Sequence, residues 1–130
     1  MNDKKISIII PVYNVEKYVK ETLISVKNQS LKPDEVIIIN DGSTDNSLNI
    51  VKDIKDTESW KIYETINQGL GLTRNYGKSL AKGDYIYFLD SDDILDHNFI
   101  FDMQNLIKVY NQPDVILFSG KLLLVFFAKF

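Results

Sequence analysis

The chain has 130 residues, 45% hydrophobic and 25% charged, with a formal net charge of -3, which suits one soluble domain able to bury a core. That charge offers no face to a polyanion, so nucleic acid is excluded as an expected partner. The absence of cysteine removes disulfides and thiolate metal sites.

Met1-Asn2-Asp3-Lys4-Lys5 leads straight into five largely apolar residues before Pro11. That run is too short for the core of a signal peptide, and a cytoplasmic location is expected. Asn28-Gln29-Ser30 fits the glycosylation acceptor pattern but carries no weight without a secretion signal. Ile6 to Ile10 is a β-branched run broken only by Ser7, which predicts a central strand covered on both faces and ended by Pro11. In the following loop Asn14 is placed to cap a helix, on which Tyr18, Val19, Thr22, Leu23 and Val26 recur on one face. Lys32-Pro33-Asp34 forms a turn, and Glu35 to Ile39 reads as a second buried strand, completing a parallel βαβ unit.

Asn40-Asp41-Gly42-Ser43-Thr44-Asp45-Asn46 is dense in turn formers and N-cap residues, and Leu48, Val51 and Ile54 begin a second helical stripe after it. Trp60 to Glu64 alternates apolar and polar residues and suits a sheet edge. After a loop over Asn67 to Gly71, Leu72, Tyr76, Ser79 and Leu80 share a helical face, with Gly83 as the expected C-cap glycine. Tyr85 to Leu89 is another buried strand, and Phe99, Met103, Leu106, Ile107 and Tyr110 make an amphipathic helix before the apolar run Val115 to Phe118. The alternation predicts an α/β fold, a doubly wound and mostly parallel sheet with helices on both faces. Leu122 to Ala128 is seven apolar residues bracketed by Lys121 and Lys129, too short to cross a bilayer. It reads as a strand cut short and, left uncovered, as a route to homodimerisation.

The chemistry gathers where the strand Tyr85 to Leu89 ends, in Asp90-Ser91-Asp92-Asp93. The carboxyl edge of an open α/β sheet is where ligands bind. Asp90 and Asp92 project to one side if the strand persists through them, and two crowded carboxylates are costly unless they share a cation. Oxygen ligands without Cys or His point to Mg or Mn rather than Zn. Taken alone, an Asp-x-Asp is more often a solvated turn capping the next helix.

Other motifs weigh less. Gly77-Lys78-Ser79 has Leu72 where a P-loop needs glycine, and Gly69-Leu70-Gly71 has Arg74 in place of the third glycine of a dinucleotide fingerprint. A phosphatase of the haloacid-dehalogenase type would make Asp90 a nucleophile and Asp92 an acid/base, but only 38 residues follow Asp92. Arg74 is the only arginine among 15 basic residues, and a planar guanidinium suits bidentate phosphate contact. Glu16 complements a helix dipole, and His97 serves the surface or a cap rather than catalysis. Tyr18, Tyr76, Met103 and Trp60 are assigned to packing.

Taken in order, Ile6 to Asn14, Val36 to Asp45, Asn67-Gln68-Gly69 with Arg74-Asn75-Tyr76-Gly77, and Tyr85 to Asp93 resemble the family 2 glycosyltransferases over roughly residues 5 to 118. The resemblance implies the GT-A nucleotide-sugar-binding fold. It implies that Pro11, Tyr13 and Asn14 lie against the nucleotide and that Asp41 hydrogen-bonds the base, usually uracil. It places Asp90 near the ribose beside Ser91 and makes Asp92 the ligand of a divalent Mn or Mg that bridges the diphosphate; Arg74 is assigned to the donor on its own chemistry, with a solvated helical residue as the alternative. The implied reaction is inverting transfer from a nucleotide-diphosphate sugar, a UDP-sugar first, to the hydroxyl of a saccharide or lipid-linked acceptor in polysaccharide or glycoconjugate synthesis. The general base of such an enzyme sits downstream of the Asp-x-Asp motif. Residues 1–130 are therefore expected to be one domain, the donor-binding half, truncated before that base, with peripheral association at the cytoplasmic face of a membrane left open. A nucleotide-binding fragment without activity is the alternative.

Overall fold

The fold is taken from a computed structural model that describes residues 3–55, 59–119 and 124–129. In chain order the elements are β1 (Ile6–Val12), α1 (Val19–Lys27), β2 (Glu35–Asn40), α2 (Ser47–Ile54), β3 (Trp60–Glu64), α3 (Leu70–Leu80), β4 (Tyr85–Phe88), α4 (Phe99–Val109), β5 (Val115–Ser119) and β6 (Leu124–Lys129). They form one sheet in the order β3-β2-β1-β4-β6-β5, with β3, β2, β1 and β4 parallel. β1 steps to β2 on one side, and β4 returns on the other. The crevice at their carboxyl ends is therefore the switch point at which an α/β sheet opens a binding site.

β1 is fully buried because both of its faces are covered. Ile6, Ile8, Ile10 and Val12 pack with α1, α2 and α4, while Ile9 joins Ile37, Ile39 and Ile86 beneath Tyr76 and Leu80 of α3. Helices thus cover both faces, as a parallel sheet requires.

Pro11 does not end β1. The strand continues to Val12, with Pro11 opposite Ile39. Ile9 O accepts from Leu89 N on the β4 side and Val12 O accepts from Asp41 N on the β2 side, so Pro11, two residues after Ile9, faces the β4 side. The β1–β4 ladder ends at Ile9 and Phe88. The proline has no ladder bond to lose there.

α3 also departs from its predicted face. Thr73 and Gly77 are its buried residues, whereas Leu72 and Ser79 are exposed. A Cβ on Gly77 would lie 2.4 Å from Ile9 Cγ2 and 2.9 Å from Ile39 Cδ1, so this glycine permits the helix to sit close on the sheet. That packing role explains the false P-loop signal. Gly77→Ala is expected to destabilise the fold by about 1–3 kcal/mol through overpacking, measured as the midpoint of urea unfolding. An unchanged midpoint would mean that α3 can step back without loss.

Gly83 is likewise a close-approach glycine rather than a left-handed cap. The residue after α3 is Ala81 in extended conformation, and a Cβ on Gly83 would lie 2.4 Å from Ser7 Oγ. Ser7 Oγ donates to Glu35 Oε1 (2.6 Å) and accepts from Gly83 N (2.8 Å). Tyr18, expected on the packed face of the first helix, is exposed and precedes α1.

The apolar run near the end is β6, with Leu122 and Leu123 outside the described residues. It lies antiparallel between β4 and β5, paired on both sides. Both backbone edges of this strand are therefore paired, and the sheet edges are β3 and β5.

Candidate functional site

Three strand ends build the site. β1 delivers Pro11, Val12 and Tyr13, β2 delivers Asp41, and the segment after β4 delivers Asp90, Ser91 and Asp92. With Asn67, Gly69, Leu70 and Thr73 from around the start of α3, and Val15, they line a cleft of about 420 Å³. That volume suits a small-molecule ligand.

Asp41 is almost completely buried yet bonded at both oxygens. Its Oδ1 accepts from Thr65 Oγ1 (2.9 Å) and Gln68 N (3.0 Å), and its Oδ2 accepts from Gly69 N (3.0 Å). These bonds fasten the β3–α3 loop to the end of β2. Gly42 allows the same contact at φ +74, where a Cβ would come within 2.8 Å of Asn67 N.

The acids do not continue β4, which ends at Phe88. They sit on a turn closed by Asp93 N donating to Asp90 O (3.0 Å). The turn, rather than strand alternation, brings Asp90 and Asp92 together and adds Asp93. One carboxylate oxygen from each of the three lies within 4.8 Å of the others. Burial and then the charges of Asp92 and Asp90 push the Asp93 carboxyl above its ordinary value, so proton uptake there relieves excess negative charge. Burial, with Asp93 and Asp90 adding to it, likewise raises the phenol of Tyr87 on β4 and keeps it protonated.

Arg74 does not line the cleft but reaches it through Asp90. Its Nη2 donates to Asp90 Oδ1 at 2.5 Å, and its Nε is buried without a hydrogen-bond partner. Asp90 is therefore held by a guanidinium at Oδ1. Asn14 is also beside the cleft rather than in it, and it does not cap α1. Its Oδ1 accepts from Thr44 N (2.8 Å) and Asp45 N (3.3 Å), which joins the β1–α1 loop to the β2–α2 loop. Glu16 does similar work through Asn46 N (3.0 Å). His97 is exposed, and its carbonyl accepts from Ser30 N.

Of the residues expected from sequence, Pro11, Tyr13, Asp41, Asp90, Ser91 and Asp92 meet in the cleft. Asp93, Asn67, Gly69 and Thr73 were absent from that set. The turn-forming Ser91-Asp92 pair was the available signal for Asp93, and Asn67 and Gly69 stand in a motif whose loop Asp41 helps to fasten to the site.

The family model described as Glycosyl transferase family 2 matches residues 7–120. An uncharacterized glycosyltransferase of Haemophilus influenzae is 47% identical over 97 residues, covering 73% of this chain and 39% of that protein. The poly(ribitol-phosphate) beta-N-acetylglucosaminyltransferase TarP of Staphylococcus aureus is 36% identical over 117 residues, covering 87% of this chain and 36% of that protein. Among solved structures, S. aureus TarS 1-349 in complex with UDP-GlcNAc matches with a TM-score of 0.83 and 34% identity, covering 90% of this chain and 34% of that one. The chain spans less than two fifths of the length of these curated relatives.

Proposed function

This chain belongs to glycosyl transferase family 2 and has the GT-A fold, and we propose that its carboxyl-edge cleft binds a nucleotide-diphosphate sugar, a UDP-sugar first, for transfer to an acceptor hydroxyl. The observation that carries this reading is the convergence of Asp41 and the Asp90–Asp93 turn on one cleft at the switch point of the sheet. The solved relative holding UDP-GlcNAc supports it.

Each residue has a task in this reading. Asp41 accepts a hydrogen bond from the base, Pro11 and Tyr13 form the wall beside it, and Asp90 with Ser91 meets the ribose. Arg74 offers guanidinium donors to the diphosphate in exchange for, or together with, Asp90. The three carboxylates fit a hard divalent cation, Mn or Mg, since all their donors are oxygen and one oxygen of each lies within 4.8 Å of the others. Asp92 would hold that cation with Asp93 beside it, and a cation there would offset charge building on the departing diphosphate.

The acceptor in this reading is a saccharide or lipid-linked hydroxyl that attacks with inversion, and the carboxylate that removes its proton lies outside residues 1–130. These residues then act as the donor-binding half. No helix among the described residues is long and apolar enough to cross a membrane.

The test is a thermal-shift panel of UDP, GDP, CDP and TDP with Mn, Mg or chelator. UDP with metal is expected to give the largest rise in melting temperature, with chelator removing most of it. No rise with any nucleotide would overturn the donor-site reading.

A further inference from the structure

We propose that Thr65 is a positioning residue for the nucleobase: by occupying one acceptor site of Asp41, it leaves that carboxylate a single site at which to accept a hydrogen bond from the ligand. The inference rests on the donor-site reading above and goes beyond it in naming the residue that sets base selectivity.

A carboxylate offers about four acceptor sites, two on each oxygen. On Asp41 both sites of Oδ1 are filled, by Thr65 Oγ1 and Gln68 N, and one site of Oδ2 is filled by Gly69 N. One site remains on a carboxylate that lines the cleft. That vacancy matches a base presenting one ring N–H between two carbonyls, as uracil does. Cytosine presents a bare ring nitrogen in the same place, and guanine brings two adjacent donors.

Thr65 is suited to hold this arrangement. Its own N–H donates to Asn40 O (2.9 Å), so its hydroxyl is anchored to the end of β2, next to the group that it serves. The loop that follows has exposed side chains. Ile66 is 92% exposed, and Asn67 and Gln68 are exposed as well, so Asp41 and its partners hold the loop in place of an apolar anchor. Without the Thr65 hydroxyl, Oδ1 regains a vacant site, and the carboxylate, still held by Gln68 N and Gly69 N, can accept a second hydrogen bond from a ligand.

The experiment is calorimetric titration of the full chain with UDP and with CDP, in the presence of Mn, for the wild type, Thr65→Val, Thr65→Ser and Thr65→Ala. In Thr65→Val, affinity for UDP is expected to fall about five- to tenfold, the scale of one hydrogen bond, while CDP affinity changes little and the preference for UDP narrows. Thr65→Ser is expected to restore both, and Thr65→Ala to behave as Thr65→Val. Equal weakening of UDP and CDP would make Thr65 a structural residue and overturn the inference, as would an unchanged preference or the unfolding of both hydroxyl-free variants. Failure of the wild type to bind any nucleotide would instead overturn the donor-site reading, and this inference with it.

Discussion

Asp92→Asn is expected to abolish the metal-dependent part of nucleotide binding while leaving the fold intact. Asp92 is exposed on the turn that follows β4, so losing its charge removes no buried contact. Its neighbours Asp90 and Asp93 remain within the same 4.8 Å cluster, but Asp90 is already committed to Arg74. A cation would then face one uncommitted carboxylate instead of two. With nucleotide and metal at about a hundred times the wild-type dissociation constant, stabilisation of about 2.7 kcal/mol is expected for the wild type, a rise of roughly 10 °C for a domain of this size. The variant should show little of that rise, and chelator should reduce the wild type to the variant's level. Without ligand the two should melt together, the variant slightly higher, because one source of repulsion on Asp93 is gone. Equal metal-dependent shifts in both proteins would remove Asp92 from the metal site.

Much of this arrangement is legible in the amino-acid order, for reasons that differ by element. β1 and β2 are runs of β-branched residues buried on both faces, and nothing else reads that way, so their bounds fall within two residues of expectation. α3 is harder. Its contact with the sheet runs through Thr73 and Gly77, a small polar residue and a residue with no side chain, and apolar periodicity cannot see a face defined by smallness. Pro11 misleads for a similar reason. Its cost in a strand depends on whether a neighbour needs its N–H, and that is decided by where β4 stops. In the site, the residue types of the Asp-x-Asp motif were informative and its geometry was not. A strand would have paired Asp90 with Asp92 alone, whereas the turn recruits Asp93. The work of Asp41 in fastening the β3–α3 loop depends on contacts across 24 to 28 positions, and no local pattern carries such information.

Arg74→Ala is expected to weaken UDP binding by about 10- to 100-fold, the worth of a hydrogen bond to a charged group, with little change in stability. Stability should hardly move because Arg74 and Asp90 are a partly exposed pair, with side chains 35% and 42% accessible, and such pairs contribute little once water screens them. The affinity is another matter. A diphosphate brings concentrated negative charge into a cleft whose turn already carries three carboxylates, and Arg74 is the guanidinium beside it. Removing it costs twice: the ligand loses a charge-assisted partner, and Asp90 loses its counter-ion and repels the incoming phosphates. The loss should therefore be largest for UDP and small for uridine, which has no phosphate. Arg74→Lys should recover only part of the affinity, since an ammonium restores the charge without the planar fork. If UDP and uridine weaken alike, Arg74 serves to hold α3 rather than to meet the diphosphate. If neither weakens, its partnership with Asp90 has no bearing on the donor.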